Sequence, residues 1–363
     1  MMRRDFLVRL SAGAPLAALA LKSPGAFATA APNAAAGWRT FDVVTSVDVA
    51  GAEGATQLWL PVPLAEAGDY QKRTAIKFAA PGAHSAKLVK VPGYDVELLH
   101  VTWPDAKSVG HVELTSRVMT RDRAIDFAAN DRIPGDHDLA PYLRPTMLLP
   151  VDGLVKATAE SIVKDQHGDV DKARALYEWV VDNTARDPKV RGCGVGDVNA
   201  MLQNGTMGGK CADINALFVA LARSIHIPAR DVYGVRVADS RLGYNCLGKS
   251  GDISKAQHCR AEFYAQGRGW MPVDPADVRK VILEEQGGLP MENPKVQAAR
   301  KRLFGSWEMN WIAYNRGHDV ALPGSTKKPV PFLMYPNGET QGARLDSLDA
   351  STFKYQIHST EIV

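Results

Sequence analysis

The chain has 363 residues, of which 45% are hydrophobic and 23% charged, with four cysteines and a formal net charge of +3. This length suggests roughly two or three domains and a core large enough to fold without covalent staples. Global disorder, collagen-like repetition and a disulfide scaffold are excluded.

The chain opens Met1-Met2-Arg3-Arg4-Asp5-Phe6-Leu7-Val8. Paired arginines ahead of Phe-Leu resemble the twin-arginine export signature. A weakly apolar stretch from Leu10 to Leu21 follows. It is broken by Pro15 and is shorter than the roughly 20 residues needed to span a bilayer. Ala26-Phe27-Ala28 offers a small-x-small cleavage site. Residues 1–28 therefore read as an export signal. The resemblance implies a periplasmic protein, exported already folded, with no membrane span once the signal is removed. Its fold must then be stable before any disulfide forms. The signal holds Arg3, Arg4, Arg9 and Lys22 against Asp5, so residues 29–363 carry 39 basic and 39 acidic side chains. That balance removes the argument for a nucleic-acid partner, because no net positive charge remains to neutralise phosphates.

Residues 29–36 read as a linker. Residues 37–149 are expected to form an antiparallel β-domain. Phe41–Val47 is rich in β-branched residues, Gln57–Pro63 is apolar and bounded by prolines, and His111–Val118 alternates with period two. From 150 to 285 the pattern becomes mixed. Leu154–Val163 and Ala173–Val181 show helical spacing. Ile214, Leu217, Phe218, Leu221 and Ile225 then form one apolar stripe, preceded by Gly208-Gly209-Lys210-Cys211 and stopped by Pro228. Strands return at Arg230–Val237, His258–Ala265 and Gly269–Val273. Residues 286–363 are expected as a C-terminal extension packing on the core, with one charged helix near Pro294–Leu303 and a weakly alternating Phe353–Ile357. The fold class is α+β.

Cys211 begins the third helix. Unpaired N–H groups and the partial positive charge of a helix N-terminus favour the nucleophilic thiolate. Lys210 acts in the same direction, while Asp213 opposes it slightly. Gly208-Gly209 leaves little bulk over the sulfur. His258 opens a strand that returns through Gln266-Gly267-Arg268. If these three residues are the loop, Ala265 pairs with Gly269 and Arg260 with Asp274. His258 and Asp274 are then diagonal neighbours on one face, about 7–8 Å apart at Cα and within reach of an imidazole–carboxylate hydrogen bond. Nucleophile, base and orienting carboxylate are thus all available in one chain.

Three segments carry a resemblance. Gly209–Asp213 with Leu217–Arg223 and Ile227–Arg230 resembles the first core motif of the transglutaminase-like superfamily. His258–Phe263 resembles its histidine strand, and Gly269–Pro275 its third motif. The resemblance implies a papain-like α+β core behind an N-terminal β-domain. In it Cys211 attacks an acyl carbonyl, His258 moves the proton and Asp274 orients His258. At Cys259 the chain departs from the pattern, because many members have a large aromatic there. The backbone N–H of Cys211 is one expected oxyanion donor. Gln203 and Asn204 are candidates for a second, and Trp270 for a substrate contact.

Once Cys211 is assigned, Cys193, Cys246 and Cys259 remain, which leaves either free thiols or one pair and a spare; Cys246–Cys259 is the first pair to consider. Cys211, His258 and Cys259 are zinc-ligand types, but no paired Cys-x-x-Cys or His-x-x-His spacing supports a metal site. No phosphate-cradling glycine motif occurs, and the chemistry needs no cofactor. The expectation is a thiol acyltransferase, amidase or peptidase, with hydrolysis favoured over protein cross-linking. Its substrate would be a peptide or amide, such as a cell-envelope protein or a peptidoglycan peptide. The alternative is a non-catalytic binding or scaffold protein on the same fold.

Overall fold

The computed structural model describes residues 37–49, 52–127, 138–205 and 207–363. The export signal and linker expected at 1–36 lie outside the described residues. Six longer strands come first: β1 (Arg39–Val49), β2 (Thr56–Pro61), β3 (Gln71–Ala79), β4 (Ser85–Val91), β5 (Val96–Trp103) and β6 (Val112–Thr120). Helices α1 (Gly153–Val163), α2 (Asp169–Asn183), α3 (Val198–Gln203) and α4 (Cys211–Ser224) follow. Then come β7 (Ala229–Arg236), β8 (Gln257–Ala265), β9 (Gly269–Val273), α5 (Pro275–Glu284) and α6 (Pro294–Arg302). The chain finishes with β10 (Trp311–Asn315), β11 (Asn337–Thr340) and β12 (Phe353–Ile362).

Three antiparallel sheets result. The first runs β12-β1-β6-β3, with two-residue strands at both edges, and the second runs β11-β2-β5-β4. The third runs β9-β8-β7-β10. In β1, Phe41, Val43, Thr45 and Val47 are buried while Asp42, Val44 and Ser46 between them are half-exposed, the period-two alternation of a sheet with one wet face. Val47, Val112 and Leu114 from the first sheet meet Leu58, Leu60, Leu99 and Val101 from the second in one core, so these two sheets pack face to face.

Helix α4 is buried along its whole length. Its apolar stripe predicts one buried face, but α1, α2 and α5 surround it on one side and the third sheet lies on the other. Phe218 packs edge-on against Phe263 with ring centroids 6.3 Å apart. Each large side chain so enclosed contributes about 1.5–3 kcal/mol from area removed from water. Arg223 is tolerated in this setting because its Nε donates to Ala229 O at 2.8 Å and its Nη1 to Arg144 O at 2.9 Å.

The segment 286–363 differs from the extension expected to pack on the core. β10 does join the core sheet beside β7. β11, however, pairs with β2, and β12 pairs with β1 through ten consecutive positions from Thr40↔Ile362 to Val49↔Phe353. Two edges of the N-terminal sheets would otherwise be open, and edges left open are sites for unwanted pairing. A second core of Phe41, Val43 and Val118 with Val235, Ile312 and Ile357 ties the first sheet to the third.

Candidate active site

Helix α4 starts at Cys211 because the chain ahead of it is clamped. Asp213 folds back over the helix end. Its Oδ2 accepts from Lys210 N at 2.9 Å, and its Oδ1 accepts from Val195 N at 2.9 Å and Gly196 N at 2.8 Å. This caps the helix and fixes the 193–196 loop across its first turn, where Ala212 N donates to Cys193 O at 2.9 Å. Gly209 is needed for the clamp, since a Cβ there would lie 2.5 Å from the Asp213 Cβ. Burial raises the Asp213 carboxyl above its ordinary value, against the three N–H donors that lower it.

The hairpin β8–β9 has Ala265↔Gly269 and continues in register to Ala261↔Val273, so the next positions, Arg260 and Asp274, face each other. His258 Nε2 lies 2.8 Å from Asp274 Oδ2. Asp274 has a second task as the N-cap of α5, with Pro275 in the first turn, where its Oδ1 accepts from Asp277 N at 3.1 Å. Two indoles fix the backbone of this hairpin. Trp311 Nε1 donates to His258 O at 2.8 Å, and Trp307 Nε1 donates to Val273 O at 3.2 Å.

Cys211 and His258 line one cavity of about 550 Å³, together with Cys193, Gln257, Tyr335 and Tyr355. Because Nε2 is committed to Asp274, the imidazole has Nδ1 left for the sulfur. Cys211 is held well below the usual thiol range. Hydrogen bonds from Cys193 and then Cys259 are the largest causes; burial opposes them, and the His258 hydrogen bond and charge add to them. Cys193 and Cys259 are correspondingly pushed up, Cys193 first by its hydrogen bond to Cys211 and Cys259 first by burial. For His258, burial lowers the pKa and Arg236 adds to that, but Asp277 and Asp274 outweigh both and leave it above its ordinary value.

Four buried charges surround this pair. Asp277 Oδ1 accepts from Arg236 Nη2 at 2.5 Å and lies 3.4 Å from His258 Nε2. Arg260 Nε lies 3.7 Å from Asp274 Oδ2. Two carboxylates and two guanidiniums cancel, so the site is electrically balanced when Cys211 and His258 form a thiolate–imidazolium pair. His258, Asp274 and Asp277 also bring three ligand-type atoms within 4.8 Å of one another. The two arginines already supply positive charge to those carboxylates.

The residues singled out in the sequence divide into two groups. Cys211, His258 and Asp274 come together. Gln203, Asn204 and Trp270 do not line the cavity. Gln203 and Asn204 are exposed at the end of α3, a helix of six residues. Trp270 shares the face of Asp274 but lies four residues away along β9, about 13 Å at strand rise. There it stacks under Arg230 at 3.5 Å and meets Tyr142 edge-on at 4.9 Å. The Cys246–Cys259 pair is also corrected, because all four thiols are free. Cys259 is buried against α4, where Asn215 Nδ2 donates to its carbonyl at 2.9 Å, whereas Cys246 N donates to Glu285 Oε2 at 3.1 Å.

Asn215 was not anticipated. It sits one helical turn after Cys211. Its Nδ2 also lies 3.4 Å from Asp274 Oδ1, and its Oδ1 accepts from Ala276 N at 3.3 Å. It thereby joins α4 to the Asp274 carboxylate. The available signal was a fully polar amide inside an otherwise apolar helical run. Asp277 and Arg236 carried no local signal of this kind.

A cysteine at a buried helix start, facing a histidine held by a strand-end carboxylate, defines the class of papain-like thiol folds. The sequence profile of the Transglutaminase-like superfamily core matches residues 156–275, and the chain belongs to this superfamily. An uncharacterized protein of Haemophilus influenzae is 35% identical over 341 residues, covering 89% of this chain and 90% of that protein. Among solved structures, a protein from Cytophaga hutchinsonii described as a candidate cysteine protease is similar with a TM-score of 0.54 at 13% identity. The match covers 90% of this chain and 92% of that one. The periplasmic domain of TgpA from Pseudomonas aeruginosa is matched at 15% identity and a TM-score of 0.37, over 66% of this chain and 94% of that one. Among the described residues, no helix is long and apolar enough to cross a membrane.

Proposed function

We propose that the protein is an exported thiol enzyme that hydrolyses a peptide or amide bond through Cys211, His258 and Asp274. The observation that carries this reading is the 2.8 Å contact between His258 Nε2 and Asp274 Oδ2 beside a cavity that Cys211 also lines. The thiolate of Cys211 attacks the acyl carbon, and the carbonyl oxygen becomes an oxyanion near the Cys211 N–H at the start of α4. The imidazolium gives its Nδ1 proton to the leaving nitrogen. The C–N bond breaks, an amine departs, and a thioester remains. Neutral His258 then takes a proton from water, hydroxide adds to the thioester, and a carboxylic acid leaves as the thiolate–imidazolium pair is restored. Asp274 keeps Nε2 protonated throughout and so positions the ring.

Hydrolysis is favoured over cross-linking because the sequence shows no dedicated amine-acceptor feature. Export to the periplasm rests on the twin-arginine signature in residues 1–28. A peptide of the cell envelope is the corresponding substrate. Incubation with an envelope extract, acid quench and mass analysis of the peptide containing Cys211 should reveal an acyl adduct. Wild-type protein with no adduct, or the same adduct on the Cys211→Ala variant at another residue, would overturn the proposal.

A further inference from the structure

The cavity holding Cys211 is lined by seven lysine and arginine side chains and by a single acidic one, Asp252. Residues 29–363 balance 39 basic against 39 acidic side chains, so this is a local concentration in a neutral molecule. Four of the seven have acidic partners. Arg186 and Lys280 share Glu284, Arg191 meets Asp346 at 2.6 Å, and Arg236 meets Asp277 at 2.5 Å. Lys210, Lys249 and Lys255 make no ion pair among the described residues. Asp252 is held by Ser254, whose N–H and hydroxyl donate to it at 3.0 and 2.6 Å. Seven cations against these four carboxylates leave a surplus of three at the mouth of the site.

The three lysines come from two stretches of chain. Lys210 adjoins the nucleophile on α4, while Lys249 and Lys255 flank the short strand that leads into the histidine strand. Convergence of one sign of charge from distant segments around a cleft raises the local concentration of an oppositely charged ligand. We infer that the acyl donor is an acidic peptide, with carboxylate side chains near the scissile amide held by Lys210, Lys249 and Lys255. This rests on the thiol acyl-transfer reading above. That reading is also what favours a peptide over a nucleic acid, because a phosphodiester offers no acyl carbon to a thiolate.

Two measurements separate the charge preference from the chemistry. The first is fluorescence anisotropy on the Cys211→Ala protein, with a labelled peptide rich in glutamate, its glutamine counterpart, and a single-stranded oligonucleotide. The second is the rate at which wild-type Cys211 is alkylated by chloroacetamide derivatives of the same two peptides, relative to plain chloroacetamide. The acidic peptide should bind and label about tenfold better than the amide peptide at low salt, an advantage lost near 1 M salt. In the Lys249→Glu, Lys255→Glu double variant, the acidic-to-amide ratio should fall by a similar factor. Equal affinity and equal labelling for the two peptides overturns the charge preference and leaves the thiol reading standing. A Cys211 inert even to plain chloroacetamide removes the thiol reading, and with it the role of the peptide as donor. Tighter binding of the oligonucleotide than of the acidic peptide overturns the proposal in favour of a phosphate ligand.

Discussion

Replacing Asp274 with Asn tests how His258 and Cys211 are coupled. The amide keeps an oxygen for Asp277 N, so the cap of α5 survives. The charge 2.8 Å from His258 Nε2 is lost. A hydrogen bond to a charged group is worth about 1.5–3 kcal/mol, roughly twice a neutral one. The charge is therefore responsible for about 1–1.5 kcal/mol of imidazolium stabilisation, or about tenfold in the population of the reactive ion pair. The effect is partial because Asp277, 3.4 Å from the same nitrogen, remains and also favours the imidazolium. Iodoacetamide labelling of Cys211, followed by intact mass from pH 4 to pH 10, reads this directly. Wild-type protein should label well below the pH of ordinary thiols. The Asp274→Asn protein should label about tenfold more slowly at pH 7, with its acid limb displaced upward, and should lose about 100-fold or more in turnover. A variant whose pH profile matches wild type would refute the coupling.

Three further outcomes follow from other parts of the fold. Cys246 is only half-buried but is pushed up to about 12, chiefly by burial and then by Glu285; peptide mapping after brief alkylation at pH 7 should find label on Cys211 and not on Cys246. Glu262 is held at about 2 by Arg230, Arg123 and Arg316 against the cost of burial. Its folded pKa is depressed, so its stabilisation is present above its unfolded value of 4.5 and is lost as pH falls toward 2, by about 3 kcal/mol in all. Urea melts should show this window in wild type and not in Glu262→Gln, which should itself be destabilised by about 3–5 kcal/mol because buried arginines lose their partner. Gly209→Ala should cost about 1–3 kcal/mol through the clash with Asp213, and should slow Cys211 labelling because the clamp that sets the helix start must shift.

The parts of the site that depend on local spacing could be read from the sequence. The three-residue turn at 266–268 sets the β8–β9 register, and that register alone brings His258 to Asp274. The start of α4 at Cys211 was equally legible, from glycines ahead of an apolar helical run. The remainder depends on contacts between distant residues. Cys193 reaches Cys211 through a loop fixed by Asp213, Arg236 reaches Asp277 from another strand, and the partner of a strand such as 353–362 has no local signature. Trp270, a candidate for a substrate contact, instead packs on Arg230 and Tyr142, contacts that no local pattern announces. Asn215 was visible as an odd polar residue, yet its partners lie 44 and 59 positions away.

The strand β12 carries Phe353 and Tyr355 into the cavity wall, while the strand it pairs with begins at Arg39, whose guanidinium grips Glu361 from 322 positions away. A nascent polypeptide halted after α6 would already contain the sulfur, the imidazole and the carboxylate, but would lack one side of the cavity that Cys211 and His258 line. Closure of that wall therefore waits for the pairing of β1 with β12, and a long-range pairing of this kind forms slowly. The complete cavity wall thus requires synthesis to have passed residue 355.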